Sequence, residues 1–239
     1  RRPITVFPTR WDLDRVSPNN PVLLTRADLH ASVANSAALK IAGITKATKN
    51  PYGGEIIRDK KTGEPNGMLL DNAETFVTDH IPEATTAEIA KAMQLADKKT
   101  IAFGWTQLQE PSGSYREVDV YKKLYASGKL KIRIYKAVMG PGADANQLLQ
   151  DGPIIEAYHH HFTLRAIKVL ADGALGSRGA ALLQPYSDAP NTSGFMIVPK
   201  KEYLPMLIAA LRKGIQVETH AIGDAANRYV LNEYEKALQ

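Results

Sequence analysis

The sequence contains no cysteine, which excludes disulfide frameworks, thiolate metal sites, iron–sulfur clusters and cysteine nucleophiles together and leaves the redox compartment open. It lacks any run of 18 apolar residues, so no membrane-spanning helix is expected, and the first ten residues lack the apolar core of a signal peptide. Clusters of one charge are missing too. Thirty Lys plus Arg stand against 25 Asp plus Glu, a net charge of +5, but the basic residues are dispersed among acidic ones, which argues against a nucleic-acid platform built on a basic stripe. No methionine precedes Arg1, so the chain reads as a piece of a longer product. Its expected location is cytoplasmic, with any N-terminal signal lying outside the chain. What is present is ordinary globular material: 239 residues, 44% apolar, enough for one large domain or one domain with a small satellite.

Beyond residue 100 a short β-rich run, a loop and a helical stretch recur. The runs lie at 101–107, 130–138, 164–172 and 215–220. Helical stretches at 115–126 and 201–213 are closed by Gly128 and Gly214, where glycine supplies a left-handed cap. Strands alternating with helices imply parallel βαβ units, in an open doubly wound sheet or in part of a (β/α)₈ barrel. Side-chain alternation favours the barrel. Ile167, Val169 and Ala171 fall on one face and Lys168, Leu170 and Asp172 on the other; Ile215, Val217 and Thr219 oppose Gln216, Glu218 and His220. A central strand of an open sheet is apolar on both faces. A barrel strand keeps one apolar face for its helices and can turn polar groups inward, with chemistry at the C-terminal mouth. Lys168, Asp172 and His220 are therefore expected in, or at the rim of, one cavity.

Residues 1–99 read as a small inserted N-terminal α+β subdomain with a linking helix, and residues 100–239 as part of the barrel. Within the first section, 22–25 is expected as a short strand and 31–42 as a helix of small residues stopped by Gly43. Residues 55–58 and 67–70 are expected as hairpin arms, and Thr85-x-x-Glu88 as a capping box opening a helix to about residue 99. The subdomain is expected to pack over the strand ends.

Four features carry candidate chemistry. Lys168 is either an exposed strand lysine, a Schiff-base amine with a pKa lowered by desolvation, or an amine that takes up CO₂ so that its carbamate bridges divalent metals. His220 ends its run at a polar loop, Ala221-Ile222-Gly223-Asp224, a position suited to a ligand or an acid–base group, and Asp224 can cap the helix that follows. The segment Asp172-Gly173-Ala174-Leu175-Gly176-Ser177-Arg178-Gly179 places glycine at every third position and matches neither a phosphate-binding loop nor a dinucleotide fingerprint. It is a flexible turn or a substrate loop, in which Arg178 can pair with a carboxylate or carbonyl. His159-His160-His161 contains a His-x-His, but it precedes a strand at the face opposite the expected site and reads as a solvated connection.

These residues resemble a known pattern. Arg26-Ala27-Asp28-Leu29-His30-Ala31, Asn35-Ser36-Ala37-Ala38-Leu39, Ala42-Gly43-Ile44 and Gly63-Glu64-Pro65-Asn66-Gly67 are similar to amidohydrolase family 3, which includes N-substituted formamide deformylases. So are Lys168 with Asp172-Gly173-Ala174-Leu175-Gly176-Ser177-Arg178, Pro185-Tyr186-Ser187-Asp188, and His220-Ala221-Ile222-Gly223-Asp224. The resemblance implies a metal-dependent hydrolase with a distorted (β/α)₈ barrel, of which residues 100–239 carry strands 2–5. It also implies a divalent metal, zinc for preference, held by a first-strand His-x-His, a fourth-strand lysine carbamate, fifth- and sixth-strand histidines and an eighth-strand aspartate. Lys168 matches the fourth-strand lysine and His220 the fifth-strand histidine; the catalytic aspartate falls outside the chain. His30, Asp172 and Arg178 are the expected substrate-binding residues, and His30 is expected to line the approach to the metal.

Three readings follow. The first is a fragment of a hydrolase that cleaves a C–N bond of a small-molecule amide or N-formyl compound, weakly active or inactive alone. A Schiff-base lyase using Lys168 lacks an obvious partner lysine or phosphate site. The last is a non-catalytic remnant that binds a ligand or another polypeptide, since open barrel edges invite self-association into a homo-oligomer.

Overall fold

In the computed structural model, which describes residues 7–239, antiparallel and parallel strand pairing are segregated into two sheets. The chain forms two compact units. One comprises the chain up to Pro82 with Ala171–Ile197 and Ala221–Tyr229; the other comprises Glu83–Leu170, Val198–His220 and Val230–Gln239.

The first unit holds β1 (Leu23–Thr25), β2 (Ala31–Ala34), β3 (Gly54–Arg58) and β4 (Pro65–Asp71), antiparallel throughout in the order β1-β2-β4-β3. Apolar residues cover both sheet faces. Ala34, Leu39, Ile56, Leu69 and Val77 cluster on one side, and Ala31, Val33, Met68 and Leu70 on the other, against Phe7, Leu13 and Phe195. The expected hairpin at 55–70 is present, with Glu55 paired to Leu70 and Ile56 to Leu69. Asp59 shapes its turn by accepting the backbone N–H groups of Lys61 and Thr62.

The helix expected at 31–42 is corrected. Ala31–Ala34 is a fully buried strand, and only Ser36–Ile41 is helical. Asn35 makes the break: its side-chain oxygen accepts from Val22 N–H and Ala38 N–H, while its amide donates to the carbonyls of Ser17 and Asn20. A run of four small residues fits either state by periodicity. Pairing of Ala31, Ser32 and Val33 with Leu70, Leu69 and Met68 decides for the strand.

The second unit holds β5 (Gln107–Glu110), β6 (Arg133–Met139), β7 (Ile154–Glu156), β8 (Phe162–Leu170) and β9 (Gln216–His220). Strands β5, β6, β8 and β9 run parallel in that order, and short β7 lies antiparallel beside β8 at Leu164. Helices Thr86–Ala102, Tyr115–Ala126, Ala143–Asp151 and Lys200–Arg212 alternate with them, and Asp224–Leu238 follows β9, giving the βαβ rhythm read in the sequence.

The strand expected at 101–107 is corrected as well. The Thr85–Glu88 capping box starts a 17-residue helix that runs to Ala102, and Gly104, at φ +83°, terminates it. Ile101, Phe103 and Trp105 have strand-like propensity but lie in the last turn and its exit; β5 begins only at Gln107. The strand expected at 164–172 begins earlier and stops at Leu170, because Ala171 and Asp172 pair instead with Ile197 and Met196.

Candidate functional site

Within the parallel sheet, register places Lys168 beside Glu218 and Leu170 beside His220. Since side chains alternate along a strand, Lys168, Glu218 and His220 share one face, and all three are half-buried. The opposite face is dry: Ile167 and Val169 are 0% and 1% exposed, and Thr219 is bonded among tyrosine hydroxyls of the helices. Lys168 and His220 thus stand on neighbouring parallel strands, two residues apart in register near the C-terminal ends, a diagonal of about 8 Å between backbones.

The helix-facing side of the sheet carries a further lysine that the sequence reading passed over: on β6 it is Met139 that pairs with Lys168, so Lys136, three residues earlier, falls on the other face. Lys136 on β6 is 0% exposed, and its ammonium donates to the carboxylates of Glu110 and Glu117 and to the Ser112 carbonyl; the Glu117 contact is 2.8 Å. Burial pushes the Glu110 carboxyl above its ordinary pKa, and the hydrogen bond from Lys136 acts against that rise. The signal was available in Arg133-Ile134-Tyr135-Lys136-Ala137-Val138, where a single cation interrupts an apolar run.

Asp172 belongs to the antiparallel-sheet unit and is fully buried. Its carboxylate accepts three backbone N–H groups, from Ala181 at 2.8 Å, Ile222 at 2.9 Å and Gly223 at 2.8 Å. It therefore ties the loop after β8 to the turn after β9. Arg178 ends a short 3-10 turn (Leu175–Ser177) in the left-handed region at φ +61° and pairs with Asp188 at 2.9 Å.

His30 reaches the same loop through Asp71. His30 Nδ1 donates to Asp71 Oδ1 at 2.6 Å, and both side chains are almost wholly buried. A Cβ at Gly173 or Gly179 would lie 2.4 or 2.7 Å from Asp71 Oδ2, so the glycine spacing reflects close packing of the loop on this carboxylate. Asp71 sits at φ +46°, a conformation that costs a non-glycine residue about 1–3 kcal/mol and is retained where surroundings enforce it. The hydrogen bond that His30 donates to Asp71 holds the His30 pKa above its ordinary value. Burial raises the carboxyl of neighbouring Glu74 to about 7. Neither Asp71 nor Glu74 was singled out in the sequence, where Asp71 is one acid at the end of an apolar strand and Glu74 one acid in the turn that follows it.

His159 and His160 are exposed in the connection before β8, and His160 pairs with Glu156 at 2.9 Å. Among the described residues, no three His, Cys, Asp or Glu side chains converge to hold a metal ion. Lys168 and His220 alone would not close a zinc site, which takes three or four protein ligands.

The pattern of the amidohydrolase family matches residues 3–239. The chain belongs to that family. YtcJ of Bacillus subtilis (strain 168) is 37% identical over 235 residues, 95% of this chain and 43% of its own length. The N-substituted formamide deformylase of Arthrobacter pascens is 30% identical over 239 residues, 95% of this chain and 43% of its own. The chain thus spans less than half the length of these relatives. A metal-dependent hydrolase from Pyrococcus horikoshii superimposes with a TM-score of 0.66 at 24% identity, covering 96% of this chain and 44% of that one. A second, from Pyrococcus furiosus, gives 0.62 at 24% identity, covering 97% and 46%. The fold is accordingly mixed α/β with the parallel strands forming a curled half-barrel. Among the described residues no helix is long and apolar enough to cross a membrane.

Proposed function

We propose that this chain contributes part of the site of a metal-dependent hydrolase that cleaves a C–N bond of an amide or N-formyl compound. The observation that carries the reading is the placement of Lys168 and His220 on one face of adjacent parallel strands. Family membership supports the hydrolase class, and the deformylase relative supports the bond type. Lys168 takes up CO₂ on its neutral amine, releasing one proton, and its carbamate supplies the anionic oxygen that lysine lacks. Together with the imidazole of His220 it provides two ligands of a larger set. With further ligands, Lys168 and His220 would hold a divalent metal, zinc by preference, which would supply a water with its pKa lowered to about 7 and would polarise a carbonyl. Glu218, on the same face beside Lys168, helps to set the charge around the carbamate. In the other unit, His30 and Arg178 are assigned to the substrate, and Asp172 supports the loop that carries Arg178. Exposed Leu211, Leu231 and Leu238 underlie a proposal of self-association, read by sedimentation.

The test uses Lys168→Ala, measured for bound metal and for turnover of an N-formyl amine in the full-length protein. Both are expected to fall, and short carboxylic acids are expected to restore part of each by replacing the carbamate. Unchanged metal content and turnover would remove the assignment.

A further inference from the structure

We propose that the antiparallel-sheet unit carries a binding cleft for a small molecule bearing a carboxylate or phosphate, gripped by the guanidinium groups of Arg26 and Arg178. The inference rests on the substrate-side assignment of Arg178, not on hydrolysis. The cleft has a volume of about 840 Å³. Five cations, Arg26, Arg58, Lys60, Lys61 and Arg178, line it against two carboxylates, Asp59 and Asp188. Such an excess in a concave wall focuses positive potential and draws anions. Phe7 and Ile57 supply apolar wall, so the ligand has an anionic head and a small apolar body.

The two arginines reach the cleft from separate parts of the chain. Arg26 follows β1 directly, and its guanidinium lies over Gly176: a Cβ there would be 3.6 Å from Nη1. A longer side chain at 176 would enter the space that the arginine occupies. Arg178 is aimed by its left-handed backbone, a strained arrangement of the kind found where a side chain must be presented. Each guanidinium already holds a carboxylate through two nitrogens. Arg26 donates to Asp28 through Nε and Nη2, both at 2.6 Å, and Arg178 donates to Asp188 at 2.9 and 3.4 Å. The forks are thus oriented for a planar two-oxygen anion. Ion pairs this exposed contribute little, so a ligand engaging both arginines can share or displace these carboxylates at small cost. Arg58 is committed elsewhere, donating to the Thr48 and Thr45 carbonyls; Lys60 and Lys61 add field from the hairpin turn.

The experiment titrates the protein calorimetrically with inorganic phosphate and separately with succinate, at constant ionic strength set with chloride. Saturable binding of one anion, with a Kd of about 1 mM or tighter, is expected, and the preferred anion identifies the head group. Arg26→Gln and Arg178→Gln should each weaken binding about tenfold or more, the effect of losing a charge-assisted hydrogen bond. Arg178→Gly keeps a residue suited to the left-handed turn and should lose binding with its melting temperature preserved. Arg116→Gln, which removes an exposed pair with Glu83 in the other unit, should bind as wild type does. In the unmodified protein, the bound anion should protect Arg26 and Arg178 from phenylglyoxal, read by mass spectrometry. Absence of saturable binding, absence of protection, or binding indifferent to both arginines overturns the proposal. No arm reads hydrolysis, so its failure leaves Lys168 and His220 untouched, and theirs leaves the cleft.

Discussion

Asp172→Ala and Asp172→Asn separate the two things that this carboxylate does for the fold. Oδ2 accepts Ala181 and Gly223, and Oδ1 accepts Ile222, all at 2.8–2.9 Å and out of contact with water. Alanine leaves three N–H groups without the acceptor, each costing about 1–3 kcal/mol when it stays buried. Local opening to water caps the total at roughly 4–5 kcal/mol, the range of the most damaging single substitutions. Asparagine preserves the shape. With its carbonyl oxygen turned to Ala181 and Gly223 it keeps two bonds and points an NH₂ at the Ile222 N–H, so one bond is lost and two donors face each other. The expected cost is about 2 kcal/mol. Urea unfolding monitored by circular dichroism gives both differences, and hydrogen exchange at Ala181, Ile222 and Gly223 locates them: asparagine should accelerate Ile222 selectively, alanine all three. Equal costs for the two variants, or a cost below about 1 kcal/mol for alanine, would refute the claim that Asp172 ties the two segments together.

Further outcomes follow from the Asp71 cluster. Gly173→Ala needs no left-handed backbone, so its cost is steric: with the new methyl 2.4 Å from Asp71 Oδ2, a loss of about 1–3 kcal/mol is expected in urea unfolding, and a silent substitution contradicts the packing. Glu74 and His30 both have raised pKa values when folded, so the native state binds protons that the unfolded chain releases, and stability falls with rising pH. The Glu74 part is lost between its ordinary 4.5 and about 7. The His30 part is fully present below 6.5 and is lost as pH rises through its raised value. Glu74→Gln should therefore stabilise the protein at pH 8, by on the order of 1–2 kcal/mol given its partial exposure, and have little effect near pH 4. A stability that rises from pH 5 to 8 contradicts both assignments.

The parallel strands and their polar face were legible because a period of two survives in Ile167–Leu170 and Ile215–His220, and one apolar face suffices to fix which residues turn inward. Boundaries were legible where a device marks them, as at the Thr85–Glu88 box, and misplaced where propensity and context compete: Ile101 favours strand, but a helix already under way continues through it and ends only at Ala102, with Phe103 as its cap. Ala31–Ala34 carries no periodic signal, so its strand state follows only from its partners on either side, β1 and the more distant β4. At the candidate site, residues at strand ends were visible one by one. The pairing of His30 with Asp71, and the burial of Lys136 between Glu110 and Glu117, depend on contacts between distant segments that no local pattern encodes.

The hydroxyls behind β9 have a consequence for the face in front of it. Tyr203 and Tyr234, from helices Lys200–Arg212 and Asp224–Leu238, each meet Thr219 Oγ1 at 2.8 Å, and Tyr234 also donates to the Val217 carbonyl at 3.1 Å. A slip of β9 by one residue would exchange its two faces, sending His220 into the helix layer and Thr219 to the polar side. Such a slip would also break all three of these bonds and strand a buried tyrosine hydroxyl. The three hydroxyls act as a ratchet pawl: they touch nothing reactive, yet they fix which imidazole the strand shows.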